Sequence, residues 1–156
     1  MSKRQKGFSL IELLIVVAII LIIAAIAIPN LLRSRMAANE ASAVGSLRTI
    51  NTAEVTYSTT YPSIGFAALT SLGGAAPCTS ATSTASCLLD NVLSAGVKSG
   101  YTFVTTAGAT SPAVTYVSNA SPSVPGQSGT RYFFSDQSGV IRYNWTAAAS
   151  ASNAAL

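Results

Sequence analysis

The chain contains no histidine, and only 9% of its residues are charged. Without histidine, the commonest acid–base group near neutral pH and the commonest metal ligand are both missing. The five acidic residues are well separated in the sequence, so no pair of carboxylates is suggested for catalysis, and no glycine-rich phosphate loop is present. We therefore predict that the protein is not an enzyme and that it holds no cofactor and no metal ion.

Acidic residues are fewer than basic ones, five against nine, which gives a net charge of +4 and a pI of about 9.3. Three of the nine basic residues, Lys3, Arg4 and Lys6, stand at the start of the chain. The rest is nearly balanced in charge and rich in Ser, Thr, Ala and Gly. The high pI is therefore mostly a property of this start, and we predict no specific binding to nucleic acid.

The apolar run Leu13–Ile28 contains no charged residue and no turn residue before Pro29. As a helix, Phe8–Ile28 would be about 31 Å long, enough to cross the hydrocarbon core of a bilayer. A helix satisfies its own backbone in lipid, whereas a single strand does not. Because the basic segment Met1–Gly7 precedes this run, the N-terminus is expected in the cytoplasm and the bulk of the chain outside.

Glu12 is an exception inside this apolar stretch, where a carboxylate is costly. In one interpretation it stays solvated at the level of the lipid headgroups. In the other it has a cationic partner. If the chain were cut between Gly7 and Phe8, the new α-amino group of Phe8 would be such a cation, in the same subunit or in a neighbouring one.

The segment Gly7-Phe8-Ser9-Leu10-Ile11-Glu12, with the apolar run up to Pro29, closely resembles the class III signal of type IV pilins and type II secretion pseudopilins. A secretory signal would instead place a small-residue cleavage site after the apolar region and would lack Glu12. A plain single-span anchor would explain the hydrophobicity but not the spacing from Gly7-Phe8 to Glu12.

The resemblance implies cleavage between Gly7 and Phe8 by a membrane prepilin peptidase, followed by N-methylation of Phe8. It also implies a homo-oligomeric helical filament in which Glu12 faces the Phe8 amine of an adjacent subunit. The further partners implied are the membrane and an inner-membrane assembly platform. The precursor would lie in the inner membrane with a single pass, and the mature chain in an extracellular pilus or a periplasmic pseudopilus.

Many members of this family carry a glycine midway along the apolar run, and this chain has none before Pro29. We therefore expect its helix to stay regular, with any break limited to the turn before Pro29. Beyond it, apolar residues recur at steps of three and four up to about Thr60, which predicts an amphipathic helix ending before Tyr61-Pro62. Glu40 is a candidate partner for Arg33 or Arg35.

Cys78 and Cys87 are the only cysteines, and they enclose a tract rich in Ser and Thr. Given export, we expect them to form a disulfide. The alternative is a metal or redox pair, for which two cysteines without histidine are a poor ligand set. Short helical turns are expected on both sides of this tract, at 66–72 and 88–95.

From Tyr101 the apolar period changes to two, which predicts strands. Four are predicted, with a hairpin between the last two, and the tail from Thr146 to Leu156 is expected to be frayed. The ranges are 101–105, 113–118, 131–135 and 140–143.

The predicted fold class is α+β, with a long N-terminal helix whose first half spans the membrane and an antiparallel sheet of three or four strands packed on its second half. Five segments follow along the chain: a leader at 1–7, the transmembrane and filament-core helix at 8–29, an amphipathic helix half at 30–60, a connecting region with the disulfide at 61–100, and the sheet at 101–156.

Two functions compatible with this organisation remain. The first is a structural subunit of a type IV pilus that serves adhesion, twitching motility or DNA uptake. The second is a pseudopilin of a type II secretion system that acts as a periplasmic piston. A tethered enzyme or ligand-binding protein has no supporting residues.

Overall fold

A computed structural model describes residues 7–75 and 77–156 of the chain. Lys3, Arg4 and Lys6, the basic residues of the predicted leader, lie outside the described residues. The chain divides into two compact units, Met1–Arg35 and Met36–Leu156.

Helix α1 runs over Leu10–Thr60 and contains Pro29. Its residues from 21 to 28 are all helical, as the lack of a glycine there predicts. Proline removes one backbone donor, yet membrane helices tolerate it because neighbouring groups satisfy the freed carbonyl. The helix ends before Tyr61-Pro62, where the residue that precedes a proline avoids the α region.

Two single-turn helices follow in the second unit, α2 at Leu69–Leu72 and α3 at Asn91–Ser94. The Asp90 carboxylate caps α3 by accepting a hydrogen bond from the Leu93 N–H at 2.8 Å. Gly96 adopts a φ of +83° just after α3, which favours glycine and turns the chain toward the sheet.

The sheet has five antiparallel strands in sequential order, which confirms the α+β class and adds a strand to the three or four predicted. The added strand is β1, Val97–Lys98, which pairs with the start of β2. Ser99 and Gly100 both have positive φ, at +50° and +73°, and this pair forms the tight turn between β1 and β2. Two residues are too few to show an alternating pattern, so β1 could not be predicted from the sequence.

The other strands are β2 at Tyr101–Ala107, β3 at Tyr116–Pro122, β4 at Tyr132–Asp136 and β5 at Arg142–Asn144. The prediction for β3 was wrong at both ends, because residues 113–115 precede the strand and Pro122 belongs to it. Pro122 lies opposite Tyr101 at the strand end, where a missing N–H is tolerated. Gly139 has a positive φ, +71°, in the turn of the predicted hairpin between β4 and β5.

The prediction of a frayed tail was wrong. The Tyr143 N–H donates to the Ala154 carbonyl at 3.1 Å, and the Leu156 N–H donates to the Ile141 carbonyl at 2.9 Å. The tail therefore pairs with β5 and covers an edge of the sheet that would otherwise expose its backbone groups. Composition alone, Ala and Ser, does not reveal such pairing.

The core of the second unit lies between the inner face of α1 and the sheet. Leu47, Ile50 and Tyr57 supply the helix side, and Tyr101, Phe103 and Phe133 supply the sheet side, all of them buried. This packing follows from the helical spacing of apolar residues on α1 and their alternation on the strands.

Candidate assembly and processing segment

The segment around Gly7 and Phe8 precedes the first turn of α1. Residues 7–9 are not helical, and both Gly7 and Phe8 are exposed, Phe8 by 75%. Glu12 lies in the first turn of the helix. The predicted processing position thus lies just before the helix, and the predicted assembly carboxylate lies in its first turn.

Glu12 has a partner within its own chain, because its Oε2 accepts a hydrogen bond from the Ser9 N–H at 2.9 Å. A serine followed three positions later by a glutamate at a helix start is the sequence pattern of a capping box. A carboxylate there also interacts favourably with the positive end of the helix dipole. The sequence interpretation missed this role, although the spacing from Ser9 to Glu12 carries the signal.

The apolar surface of the first unit has no cover within the described chain. Leu10, Leu21 and Ile26 are 76%, 63% and 64% exposed. By length and composition, α1 can cross a membrane, with a mean hydropathy of 3.3 over its most apolar window of 18 residues. Such a surface is unfavourable in water and favourable in lipid or against other apolar helices.

Cys78 and Cys87 form a disulfide, with Cα atoms 6.2 Å apart. Backbone hydrogen bonds attach the loop that it closes to α2: the Ser86 and Cys87 N–H groups donate to the carbonyls of Ser71 and Gly73, both at 2.9 Å. The Tyr57 hydroxyl donates to the Ser83 carbonyl at 2.5 Å, which attaches the same loop to α1.

Glu40 connects α1 to the segment before β4. Its Oε1 accepts hydrogen bonds from the Thr130 N–H, the Thr130 hydroxyl and the Arg131 N–H. Its Oε2 accepts one from the Arg131 Nε–H at 2.7 Å. Burial raises the pKa of Glu40, but these hydrogen bonds outweigh burial and hold it below its ordinary value. Glu40 was a candidate partner for Arg33 or Arg35, but in the described chain its ion-pair partner is Arg131, from the segment before β4.

Arg131 also lies against aromatic rings. Its guanidinium carbon is 5.4 Å from the ring centre of Phe133, 5.7 Å from that of Tyr143 and 5.5 Å from that of Trp145. The negative faces of aromatic rings attract a cation at these distances. The cation that neutralises Glu40 is thus itself held in place by three rings, which lie on β4, on β5 and directly after β5.

Glu54 is fully buried on α1, and one of its oxygens accepts a hydrogen bond from the Ala67 N–H at 3.0 Å. The other oxygen, Oε1, has no hydrogen-bond partner within the described part of the chain. Burial raises the pKa of Glu54 to about 7, and the Ala67 hydrogen bond only partly opposes the rise. Glu54 therefore carries a proton more readily than an exposed glutamate does.

Asn51 completes the polar contacts of α1 with the sheet. Its side-chain N–H donates to the Ser135 hydroxyl at 2.8 Å, and its carbonyl oxygen accepts from the Tyr116 hydroxyl at 3.0 Å. Burial raises the pKa of Tyr116 to about 12, so this hydroxyl stays a donor at neutral pH. The contacts of Asn51 therefore position the sheet on α1.

No cluster of three or more metal-ligating side chains occurs at residues 7–75 and 77–156.

Comparison with known proteins supports the assignment of the N-terminal segment. A family model described as the prokaryotic N-terminal methylation motif matches residues 2–28. The chain is 63% identical over 38 residues to the type IV wide pilus major component PilA4 of Thermus thermophilus, a match that covers 24% of this chain and 29% of that protein.

A second relative is the type IV major pilin protein PilA of Myxococcus xanthus, 45% identical over 56 residues, or 36% of this chain and 26% of that protein. The matches thus span less than a third of the length of either relative, and no solved structure gives a significant match. The N-terminal segment thus matches the prokaryotic N-terminal methylation motif, and the chain is similar over part of its length to two type IV pilins, which supports a class III prepilin signal at residues 2–28.

Proposed function

We propose that this chain is a structural subunit of a type IV pilus that polymerises through its apolar N-terminal helix after removal of a leader. The observation that carries the proposal is the uncovered apolar surface of α1, which begins directly after the processing motif. Both pilin relatives are named as major pilus components, which favours a pilus over the piston of a type II secretion system.

The proposed processing consists of cleavage between Gly7 and Phe8 and N-methylation of the new Phe8 amine. The exposed, non-helical backbone at 7–9 supports it, because a peptidase must reach an extended peptide bond. No atom of the described residues lies within 4 Å of the position of a Cβ at Gly7, so the need for glycine there would come from the peptidase and not from the described part of the fold.

In the assembled state, Glu12 pairs with the Phe8 amine of an adjacent subunit. The capping contact with Ser9 occupies one carboxylate oxygen and keeps the carboxylate at the start of the helix. The remaining oxygen is then placed to accept from a cation beside the helix N-terminus. In the dry centre of a filament, an amine without such a counter-charge would be strongly unfavourable.

The proposed partners are other copies of the chain, a prepilin peptidase, an inner-membrane assembly platform and the membrane itself. The precursor lies in the inner membrane with its N-terminus in the cytoplasm, and the mature chain lies in the extracellular pilus. In the membrane the apolar surface of the helix contacts lipid, and in the filament it contacts the apolar helices of other copies. The same surface therefore serves the precursor and the assembled chain. Adhesion, twitching motility and DNA uptake are the roles proposed for the fibre.

The test is to shear surface fibres from the producing cells and to sequence the N-terminus of their protein. We expect long fibres whose main chain begins with N-methylated Phe8. Replacing Gly7 by a larger residue should block processing and leave the longer precursor in the membrane. Fibres without this chain, or a mature N-terminus other than Phe8, would overturn the proposal, and a chain found only in the periplasm would favour the piston.

A further inference from the structure

Two arginines directly follow the apolar half of α1. Between Glu12 and Arg33 the sequence has no charged residue, and the exposed side chains of Leu31 and Leu32 keep the surface apolar up to Arg33. At about 1.5 Å per residue, the helix rises about 31 Å from Glu12 to Arg33, close to the roughly 30 Å thickness of the hydrocarbon core of a bilayer. When Glu12 lies at one boundary of this core, Arg33 and Arg35 therefore lie at the other.

The side chains of Arg33 and Arg35 are exposed, and neither forms an ion pair among the residues that the structure describes. Both ion pairs that occur there lie within the second unit and involve other residues. A guanidinium carries a permanent charge, and its N–H donors form a planar fork that matches the oxygens of a phosphate or a carboxylate. Each arginine therefore has its charge and its donors available to an anion outside the described chain.

The two arginines lie on nearly opposite sides of the helix. With about 3.6 residues per turn, positions 33 and 35 are separated by about 200° around the helix axis. One carboxylate on one side of the helix therefore cannot serve both side chains. A layer of lipid headgroups surrounds a membrane helix on every side, so it offers a separate phosphate to each arginine.

A neighbouring copy of the chain is a poorer match for these two cations. Four of its five acidic residues are ion-paired, buried or placed at the other boundary: Glu40, Asp90, Glu54 and Glu12. The fifth, Asp136, accepts hydrogen bonds from the N–H and the hydroxyl of Ser138 within its own turn. A copy thus offers one carboxylate for two arginines on opposite sides, which favours phosphate headgroups.

We propose that Arg33 and Arg35 bind the headgroup phosphates of anionic phospholipids at the outer face of the membrane and thereby fix the depth of the helix. Long basic side chains at the end of a membrane helix extend along the apolar surface and place their charge among the headgroups. Anionic lipids attract such groups across distances within a Debye length. The inference rests on the proposed function, in which this helix spans the membrane.

Removal of the leader makes this contact more important. Cleavage after Gly7 would remove the three basic residues that precede the apolar run at its cytoplasmic end: Lys3, Arg4 and Lys6. Arg33 and Arg35 are then the basic side chains next to the span, with the Phe8 amine at its inner end. A mature subunit therefore has to release these phosphates when it leaves the membrane for the filament.

The lipids that stay bound to the purified full-length chain test this contact. The chain is reconstituted in vesicles of equimolar phosphatidylglycerol and phosphatidylcholine and extracted with mild detergent, and its bound lipids are counted by native mass spectrometry. We expect the wild type to retain phosphatidylglycerol several-fold over phosphatidylcholine. The double variant with Arg33→Gln and Arg35→Gln should lose most of this preference. The leader contributes equally to both chains, so their difference reports on the two arginines.

Arg48→Gln is the matched control, because Arg48 is an exposed arginine of the same helix but lies in the second unit. It should keep the lipid preference of the wild type. An unchanged preference in the double variant, or an equal loss in Arg48→Gln, would overturn the inference and leave the proposed filament intact. An unchanged preference together with faster release of subunits from filaments would also overturn it and identify a neighbouring copy as the partner. Absence of the chain from both membrane and fibres would overturn the proposed function as well.

Discussion

Glu40 and Glu54 are buried carboxyl groups on the same helix, and the number of hydrogen bonds that each accepts sets its charge. Glu40 accepts four, one of them from a guanidinium, and its pKa is lowered although burial raises it. Glu54 accepts one, and burial raises its pKa to about 7. The pH dependence of the fold should therefore contain two contributions of opposite sign.

For Glu54, the folded state holds the proton more tightly than the unfolded chain, whose ordinary value is 4.5. The stability due to this proton is complete below pH 4.5 and is lost as the pH rises through about 7. Between pH 5 and 8 the full-length chain in micelles should lose on the order of 2 kcal/mol of unfolding free energy from this group. Glu54→Gln should remove this dependence in denaturant titrations, and an unchanged slope would contradict the assignment.

For Glu40, the contribution has the opposite sign. It is present above pH 4.5 and is lost as the pH falls through the lowered pKa of the folded state. Glu40→Ala should cost about 3 kcal/mol of unfolding free energy at pH 7, because it leaves Arg131 without its counter-charge in a partly buried site. The loss should shrink at acid pH, and a loss that does not depend on pH would point to packing instead.

At the scale of single residues, the sequence predicted what depends on neighbours along the chain and missed what depends on the fold. The Gly7-Phe8-Glu12 pattern and the isolated pair Cys78 and Cys87 are local signals. The partner of Glu40 is 91 residues away, at Arg131, and no spacing rule identifies it. The burial of Glu54 is similarly a property of the segment that covers it.

Among the elements, α1 was predictable because its residues repeat a helical pattern over many turns. The short elements were less so: β1 depends on a two-residue turn, and the tail pairs with β5 through backbone groups that every sequence possesses. The predicted third element stopped at residue 118, whereas β3 continues to Pro122, whose position at the strand end needs no N–H. The element that is long and repeats its apolar pattern was therefore predicted correctly, whereas the short elements were missed or misplaced.

Gly45 and Gly129 allow a paired prediction about these elements. A Cβ at Gly45, inside α1, would meet no atom within 4 Å, so Gly45→Ala should raise the unfolding free energy by about 1 kcal/mol. A Cβ at Gly129 would overlap the Tyr101 ring, so Gly129→Ala should be destabilising. Denaturant titrations of both variants check the signs. A destabilised Gly45→Ala chain would show that α1 bends at this glycine.

The disulfide supports the loop between α2 and α3. Replacing both Cys78 and Cys87 by serine should lower the unfolding free energy by about 2–3 kcal/mol in the chain-entropy description of a loop of this size. The wild type in excess reductant is the control and should match the double variant. No change in the thermal midpoint of either would show that the bonds from Ser86 and Cys87 to α2 suffice on their own.

For the molecule as a whole, the apolar half of α1 and the folded second unit differ in how their apolar residues are covered. The second unit packs them internally, whereas the apolar half of α1 is uncovered within the described chain and, in the proposed function, meets lipid or other copies. Sequence periodicity predicted both halves and the α+β class.

Glu12 provides the test at this scale. Glu12→Ala should leave membrane insertion and cleavage intact, since an apolar residue enters lipid more easily, but it should strongly reduce incorporation into fibres. Glu12→Gln keeps the acceptor for the Ser9 N–H and removes only the charge, so it separates helix capping from pairing with the amine. Electron microscopy and blotting of sheared fibres give the readout. Normal fibres in both variants would contradict the pairing of the Glu12 carboxylate with the Phe8 amine.

Within the second unit, several of the hydrogen bonds between α1 and the loops end on backbone atoms of the loops. Asn39 and Tyr57 donate to the carbonyls of Ser128 and Ser83, and Glu54 accepts from the N–H of Ala67. At these places α1 contacts the backbone of the loops, and the contact does not involve the side chains of the loop residues. The side chain at Ser83 can therefore vary without loss of this attachment, since Tyr57 bonds to its backbone carbonyl, whereas the Ser128 hydroxyl also bonds to Val124 and shapes its own loop.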